Sequence, residues 1–152
     1  MQITITMERP DSADATALIT ELDAHLEPIY PQESRHGYSV QKLIDEAVAF
    51  FVLRDGATPA ACGGVKLFGA EYAEIKRMYV RPQFRGRGYA KRVLEHLTEY
   101  SRGQGVLTLR LETGIYQLEA IGLYERMGFY QIPPFGPYRV DPLSRCYEKR
   151  LR

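Results

Sequence analysis

No run of apolar residues in this chain approaches the roughly 18 that a membrane-spanning helix needs, and the N-terminus lacks a basic stretch followed by an apolar one. The expectation is a soluble, cytoplasmic protein. Cysteine is scarce: Cys62 and Cys146 both sit in apolar, strand-like surroundings, and neither has metal-ligand spacing to a histidine. Such a pair suits buried thiols in a reducing compartment rather than a disulfide framework. The Walker pattern Gly-x-x-x-x-Gly-Lys-Ser/Thr is missing, as are internal repeats, linkers and low-complexity segments. A net charge of only +1 argues against a dedicated nucleic-acid binder.

One absence is local. Residues 76–92 hold no acidic side chain and seven basic ones (Lys76, Arg77, Arg81, Arg85, Arg87, Lys91, Arg92). Residues 1–75 carry twelve Asp and Glu against five Lys and Arg, and residues 93–152 carry eight basic against seven acidic, giving net charges of −7, +7 and +1 for the three segments. Basic charge is thus concentrated where a polyphosphate would be welcome. At 152 residues, 45% hydrophobic, the chain fits one domain, residues 1–152, with a full core.

The basic segment coincides with a break in pattern. Ile75, Met78, Tyr79 and Val80 read as a buried strand that stops at Pro82. Val93, Leu94, Leu97 and Tyr100 then recur at helical spacing. Between them lie Gln83-x-x-Gly86-x-Gly88 and Tyr89-Ala90. A helix starts with N–H groups that have no intrahelical partner, and glycines just before it let an anion reach those donors without meeting a Cβ. A tight turn with solvated arginines is the plainer reading of two glycines alone.

Read in order, the chain begins with an alternating strand over Met1–Met7. Arg9-Pro10-Asp11-Ser12 caps a helix over Ala13–Leu26, which ends before Pro28 and Pro31. Ser39 caps a short helix ending near Ala47. Ala49–Arg54 and Ala60–Phe68 form a hairpin with a turn at Asp55-Gly56, and Gly63-Gly64 mark a bulge or a close approach. Tyr72–Val80 is the third sequential strand, and the helix from Gly88 ends near Gly103 or Gly105. Val106–Thr113 is a strand with Leu107, Leu109 and Leu111 on one face; Gln117–Met127 is a helix stopped by Gly128. Phe129–Ile132 and Ser144–Leu151 are the last strands, separated by the stiff Pro133–Tyr138 loop.

Gln83-x-x-Gly86-x-Gly88-x-Ala90 after Met78-Tyr79-Val80-x-Pro82 resembles the acyl-CoA pyrophosphate motif of the GNAT superfamily of N-acetyltransferases. Ala120-x-x-Leu123-Tyr124-x-x-x-Gly128-Phe129 is similar to the same family's C-terminal helix, whose Tyr faces the thioester sulfur. The two motifs stand in family order, and the resemblance covers roughly Ala60 to the C-terminus. It implies an α/β (α+β) fold of order β-α-α-β-β-β-α-β-α-β-β, with about seven strands in a mixed, mostly antiparallel sheet and helices on both faces. It also implies that the strands ending at Val80 and starting near Val106 run parallel and splay, so that free backbone groups pair with a pantetheine arm. Acetyl-CoA is then the cosubstrate and an amine the acceptor, with no metal, no nucleic acid and no membrane partner. Homodimerisation through the C-terminal strands is common in the family.

The resemblance implies coenzyme contacts from Met78, Tyr79, Val80, Arg85, Gly86, Arg87, Gly88, Tyr89, Ala90, Lys91, Gln117 and Tyr124. Asn is commoner than Gln at the position of Gln117; the amide chemistry is the same on a longer stem. Attack of an amine on a thioester needs a neutral amine, a donor for the developing oxyanion and a proton for the departing thiolate. An alkylammonium of pKa about 10.4 is almost wholly charged at pH 7. A backbone N–H between Met78 and Val80 suits the oxyanion, and Tyr124 suits the thiolate, since a phenol lies just above a thiol in pKa. Glu74 matches the glutamate that serves as base in histone-type members, and Glu112 matches that of members acting on protein N-termini. Each has a plain alternative as an ion-paired carboxylate beside Lys76, Arg77 or Arg110. Tyr30, Tyr38, Phe135 and Tyr138 fall in the two irregular segments where the family builds its acceptor pocket. His25, His36 and His96 read as surface or satisfied histidines.

Two other readings are open. Gly86-x-Gly88 between a strand and a helix, with Glu112 ending the next strand, has the outline of a dinucleotide fingerprint, but Lys91 stands at the third glycine position. A non-catalytic acyl-CoA binding or sensing module on the same fold is the second.

Overall fold

The computed structural model describes residues 2–35 and 38–152; His36 lies outside them. Seven strands and four helices follow one another as β1 (Ile3–Glu8), α1 (Ala13–Leu26), α2 (Val40–Asp45), β2 (Ala49–Asp55), β3 (Thr58–Phe68), β4 (Tyr72–Val80), α3 (Tyr89–Gly103), β5 (Thr108–Gly114), α4 (Leu118–Arg126), β6 (Tyr130–Ile132) and β7 (Ser144–Arg150). The order is the expected one. Ser12 and Ser39 cap α1 and α2, each hydroxyl accepting a backbone N–H three residues on.

The strands form one sheet in the order β1-β2-β3-β4-β5-β7-β6. Every neighbouring pair is antiparallel except β4 and β5. That arrangement excludes a dinucleotide-binding parallel sheet. Alternation along the strands sends Phe50, Val52 and Cys62 to one face, under Leu18, Ile19 and Leu22 of α1 and Leu43 of α2. Phe51, Leu53, Ala61, Val65 and Ile75 face the other way, under Val93, Leu94 and Leu97 of α3 and Ile121 of α4. Helices therefore cover both faces. Both cysteines are buried and free, and no helix of the described residues is long and apolar enough to cross a membrane.

The parallel β4/β5 pair is the unusual part of the sheet. It is held only at Ala73↔Leu109 and Glu74↔Arg110, while β4 runs on to Val80 with no partner on that side. On the other side β4 carries a bulge: pairing with β3 slips between Cys62 and Gly64, opposite Arg77, whose φ is +58°. A non-glycine residue seldom adopts this left-handed conformation. Here the buried Arg77 guanidinium holds it, ion-pairing with Asp23 of α1. A bulge bends its strand and re-aims the residues beyond it, here Met78 to Val80.

Leu107 does not join the apolar row of Leu109 and Leu111. It precedes β5 and is half exposed, although its carbonyl accepts the Leu151 N–H. Gly63 serves as both bulge partner and close approach. A Cβ there would stand 2.6 Å from Met78 Sδ and 2.9 Å from Val93 Cγ1, so the missing side chain lets α3 sit tightly on the sheet. Gly63→Ala is expected to cost about 1–3 kcal/mol by overpacking, read as a lowered thermal midpoint. An unchanged midpoint would show that Met78 and Val93 yield freely.

Candidate functional site

The gap between β4 and β5 opens into two cavities. The larger, about 500 Å³, lies beside the free end of β4 and the start of α3, and α4 closes its other side. At its floor Gly86 and Gly88 take φ of +79° and +77°, and nothing stands within 4 Å of where either Cβ would be. Gly88 is the N-cap of α3, no side chain caps that end, and the first turn holds no acidic residue. Backbone donors, open space and a positive helix end together fit a phosphate-bearing ligand.

Of the residues expected at the coenzyme, Met78, Tyr79, Val80, Arg85, Gly86, Gly88, Tyr89, Ala90, Lys91, Gln117 and Tyr124 all line this cavity. Arg87 does not. Its guanidinium turns away to Asp55, 3.2 Å from Oδ2. The same oxygen accepts the Tyr89 hydroxyl at 2.5 Å. Asp55, expected as a turn residue, is thus a buried post at the end of β2 to which both sides of Gly88 are tied. Nothing in the local sequence reveals this, since its partners lie more than thirty residues on. Tyr79 lines the cavity from the strand, but its hydroxyl points to the α1 side, toward Glu21 at 3.4 Å. His25, expected to be a surface or satisfied histidine, lines the cavity too.

Nor do the seven basic residues form one patch. Lys76 pairs with Glu74, Arg77 with Asp23, Arg81 with Glu21 and Arg87 with Asp55. Arg85 and Lys91 are the members that line the large cavity, and Arg85 Nε also donates to the Val80 carbonyl at 3.2 Å. Much of the acidic surplus upstream is therefore spent on neutralising the junction.

The smaller cavity, about 140 Å³, is lined by both strands of the split. Glu74, Glu112, Tyr30, Tyr38 and Tyr138 line it, while Phe135 instead packs against Tyr72 and Cys146. Glu74 is 2% exposed, and its Oε2 accepts both Lys76 Nζ at 3.0 Å and the Tyr138 hydroxyl. Burial pulls Lys76 below the ordinary lysine range, opposed by Glu74, and its ammonium sits 3.7 Å over the Tyr38 ring. Glu112 is partly exposed and accepts the Ser144 hydroxyl at 2.5 Å. Tyr30 donates to Gln117 Oε1 at 3.1 Å and accepts the Tyr116 N–H at 3.0 Å, which fixes the start of α4.

Tyr124 and Met78 line both cavities. Tyr124 is 5% exposed, its hydroxyl has no protein partner among the described residues, and burial raises its pKa well above the usual phenol value. The phenol is thus held protonated in a residue that both cavities share. Among the described residues no group of three or more His, Cys, Asp or Glu is arranged to hold a metal.

Residues 16–129 match the family model described as the acetyltransferase (GNAT) family. The chain is 41% identical over 150 residues to an IAA acetyltransferase of Azospirillum brasilense, covering 98% of both chains. It shares 35% identity and a TM-score of 0.85 with a crystal structure from Klebsiella pneumoniae titled as an acyl-CoA N-acyltransferase, covering 99% of both. The PaiA N-acetyltransferase of Thermoplasma acidophilum, solved with coenzyme A, shares the fold at 20% identity and a TM-score of 0.76, over 99% of both chains. With a matched family model over most of its length and a relative this similar end to end, the chain belongs to the GNAT family of acetyltransferases and is an acyltransferase.

Proposed function

We propose that the protein transfers an acetyl group from acetyl-CoA, held in the larger cavity, to a primary amine entering through the smaller one, by direct attack in a ternary complex. The observation that carries this reading is that two adjoining cavities, one beside the free end of β4 and one between β4 and β5, share Met78 and Tyr124. A non-catalytic sensor needs only the first cavity. Acetyl-CoA supplies the activated thioester. The N–H groups around Gly86 and Gly88 would hold its diphosphate, with Arg85 and Lys91 beside them, and the unpaired edge of β4 would take the amide groups of its arm.

The bulge at Arg77 directs the strand beyond it, so a backbone N–H near Met78 serves as the oxyanion donor. Tyr124 protonates the departing thiolate. Burial raises the phenol, but the same low-dielectric surroundings raise a thiol formed there, so donor and acceptor stay matched. We assign the base to Glu112 rather than Glu74. Glu74 is almost wholly buried in the stretch where β4 is still paired; Glu112 is partly exposed and lies past that pairing, beside the gap.

Three outcomes test the scheme. Tyr124→Phe is expected to lower kcat by about 10- to 1000-fold with little change in acetyl-CoA affinity; a collapse of affinity instead makes Tyr124 structural. Gly86→Val is expected to remove coenzyme binding in calorimetry, since valine disfavours φ of +79° and puts a branched side chain on the donor face. Retained affinity would move the phosphates elsewhere. Glu112→Gln is expected to lower kcat by about 100-fold at unchanged acetyl-CoA affinity, and Glu74→Gln to lower it far less. The reverse pattern returns the base to Glu74.

A further inference from the structure

Gly86 and Gly88 have little of their own to hold the conformation they adopt. Each stands in open space at positive φ, and no side chain caps the start of α3. Glycine is the residue with the most backbone freedom to lose, so a turn built on two of them stays ordered only if something else ties it down. The tie comes from outside the turn. Asp55 ends β2, and its backbone is paired on both sides, with Ile3 of β1 and Thr58 of β3. Its buried Oδ2 accepts the Tyr89 hydroxyl at 2.5 Å and Arg87 Nη1 at 3.2 Å, the side chains on either side of Gly88. The Arg87 guanidinium also lies 5.2 Å from the Phe84 ring centroid, and the Phe84 and Tyr89 rings are 6.2 Å apart. The turn is thus folded round one carboxylate.

Two plainer roles fit Asp55 less well. It does not line the larger cavity, and a carboxylate there would repel a phosphate, so it is no coenzyme contact. As a stabilising ion pair it is poor. Its partner Arg87 is half exposed, and its own Oδ1 is buried with no hydrogen-bond partner among the described residues. We propose that Asp55 is a positioning residue for coenzyme binding: through Tyr89 and Arg87 it holds residues 86–90 in the conformation that presents their N–H groups, without touching the coenzyme. This rests on the reading that coenzyme A lies in the larger cavity. A ligand that meets an ordered turn is spared the entropy of ordering it.

The test is CoA binding by calorimetry, well below the unfolding midpoint of each protein, in a double-mutant cycle of Asp55→Ala and Tyr89→Phe. Asp55→Ala is expected to weaken binding about 10- to 100-fold, and Tyr89→Phe alone about 3- to 10-fold. In the Asp55→Ala protein, Tyr89→Phe is expected to add nothing, since the hydroxyl acts through the carboxylate. Asp55→Asn keeps an acceptor for that hydroxyl and is expected to recover part of the affinity. Amide order parameters from NMR relaxation are expected to fall in Asp55→Ala over residues 86–91 and to hold in the rest of α3. A purely structural carboxylate would lower the unfolding midpoint and leave the affinity of the folded protein unchanged. Undiminished CoA affinity in Asp55→Ala, or losses that add in the cycle, overturns the proposal. Should Asp55→Ala not fold, undiminished affinity in both Asp55→Asn and Tyr89→Phe overturns it equally. Failure of the coenzyme reading looks different: the unaltered protein then binds no CoA, whereas binding that ignores these substitutions removes Asp55 alone.

Discussion

The rest of the structure depends on a hydrogen-bond ladder that stops early. β4 and β5 share two register pairs and then part, although β4 continues for six more residues. Unpaired backbone groups inside a protein are normally costly and normally avoided. They persist here because neighbouring elements hold the two strands apart. On the β3 side a bulge bends β4 at Arg77, and the ion pair to Asp23 ties that bulge to α1. Tyr30 fixes the start of α4 beyond the end of β5. The edge that results is a preformed strand edge of the kind extended ligands add to.

The glycine junction is fixed to the sheet by Asp55. Its buried carboxylate takes the hydroxyl of Tyr89 in the first turn of α3 and the guanidinium of Arg87 one residue before Gly88. The backbone donors at the helix start are therefore referred to the end of β2 rather than left on a free loop. Preorganised donors are the useful kind, since ordering them is not charged to binding. Ion pairing of the surrounding arginines has a related consequence: with Arg77, Arg81 and Arg87 held by carboxylates, only Arg85 and Lys91 of the basic cluster line the larger cavity.

Much of this was legible in the sequence, and what was legible was local. Ser12 and Ser39 announce their helices by capping chemistry, Gly86 and Gly88 mark a left-handed approach to a helix start, and alternation along β2 and β3 separates the two faces of the sheet. Leu107 was misassigned because alternation cannot tell where a strand's partner begins. The basic cluster was misread for a similar reason. Seven like charges in seventeen residues look like a patch until the partners supplied by α1 and β2 are in place. Asp55 reads locally as a turn residue before glycine, because its contacts are made only after the sheet has closed.

The division between what was and was not legible follows the chemistry of the two cavities. A coenzyme held by backbone amides demands particular backbone conformations, and only a few residue types supply them, so the cradle leaves a mark in the sequence as glycines at fixed spacing. An acceptor held by side chains makes no such demand. Arg35, Tyr38 and Tyr138 come from irregular segments that α1 and β7 bring to the gap, and another set of side chains on the same backbone would leave the fold intact. Tyr124 and Met78 stand on the boundary. Tyr124 is positioned by a helix that packs on the sheet and Met78 by a strand bent at its bulge, so the place where the two cavities adjoin inherits the rigidity of the sheet.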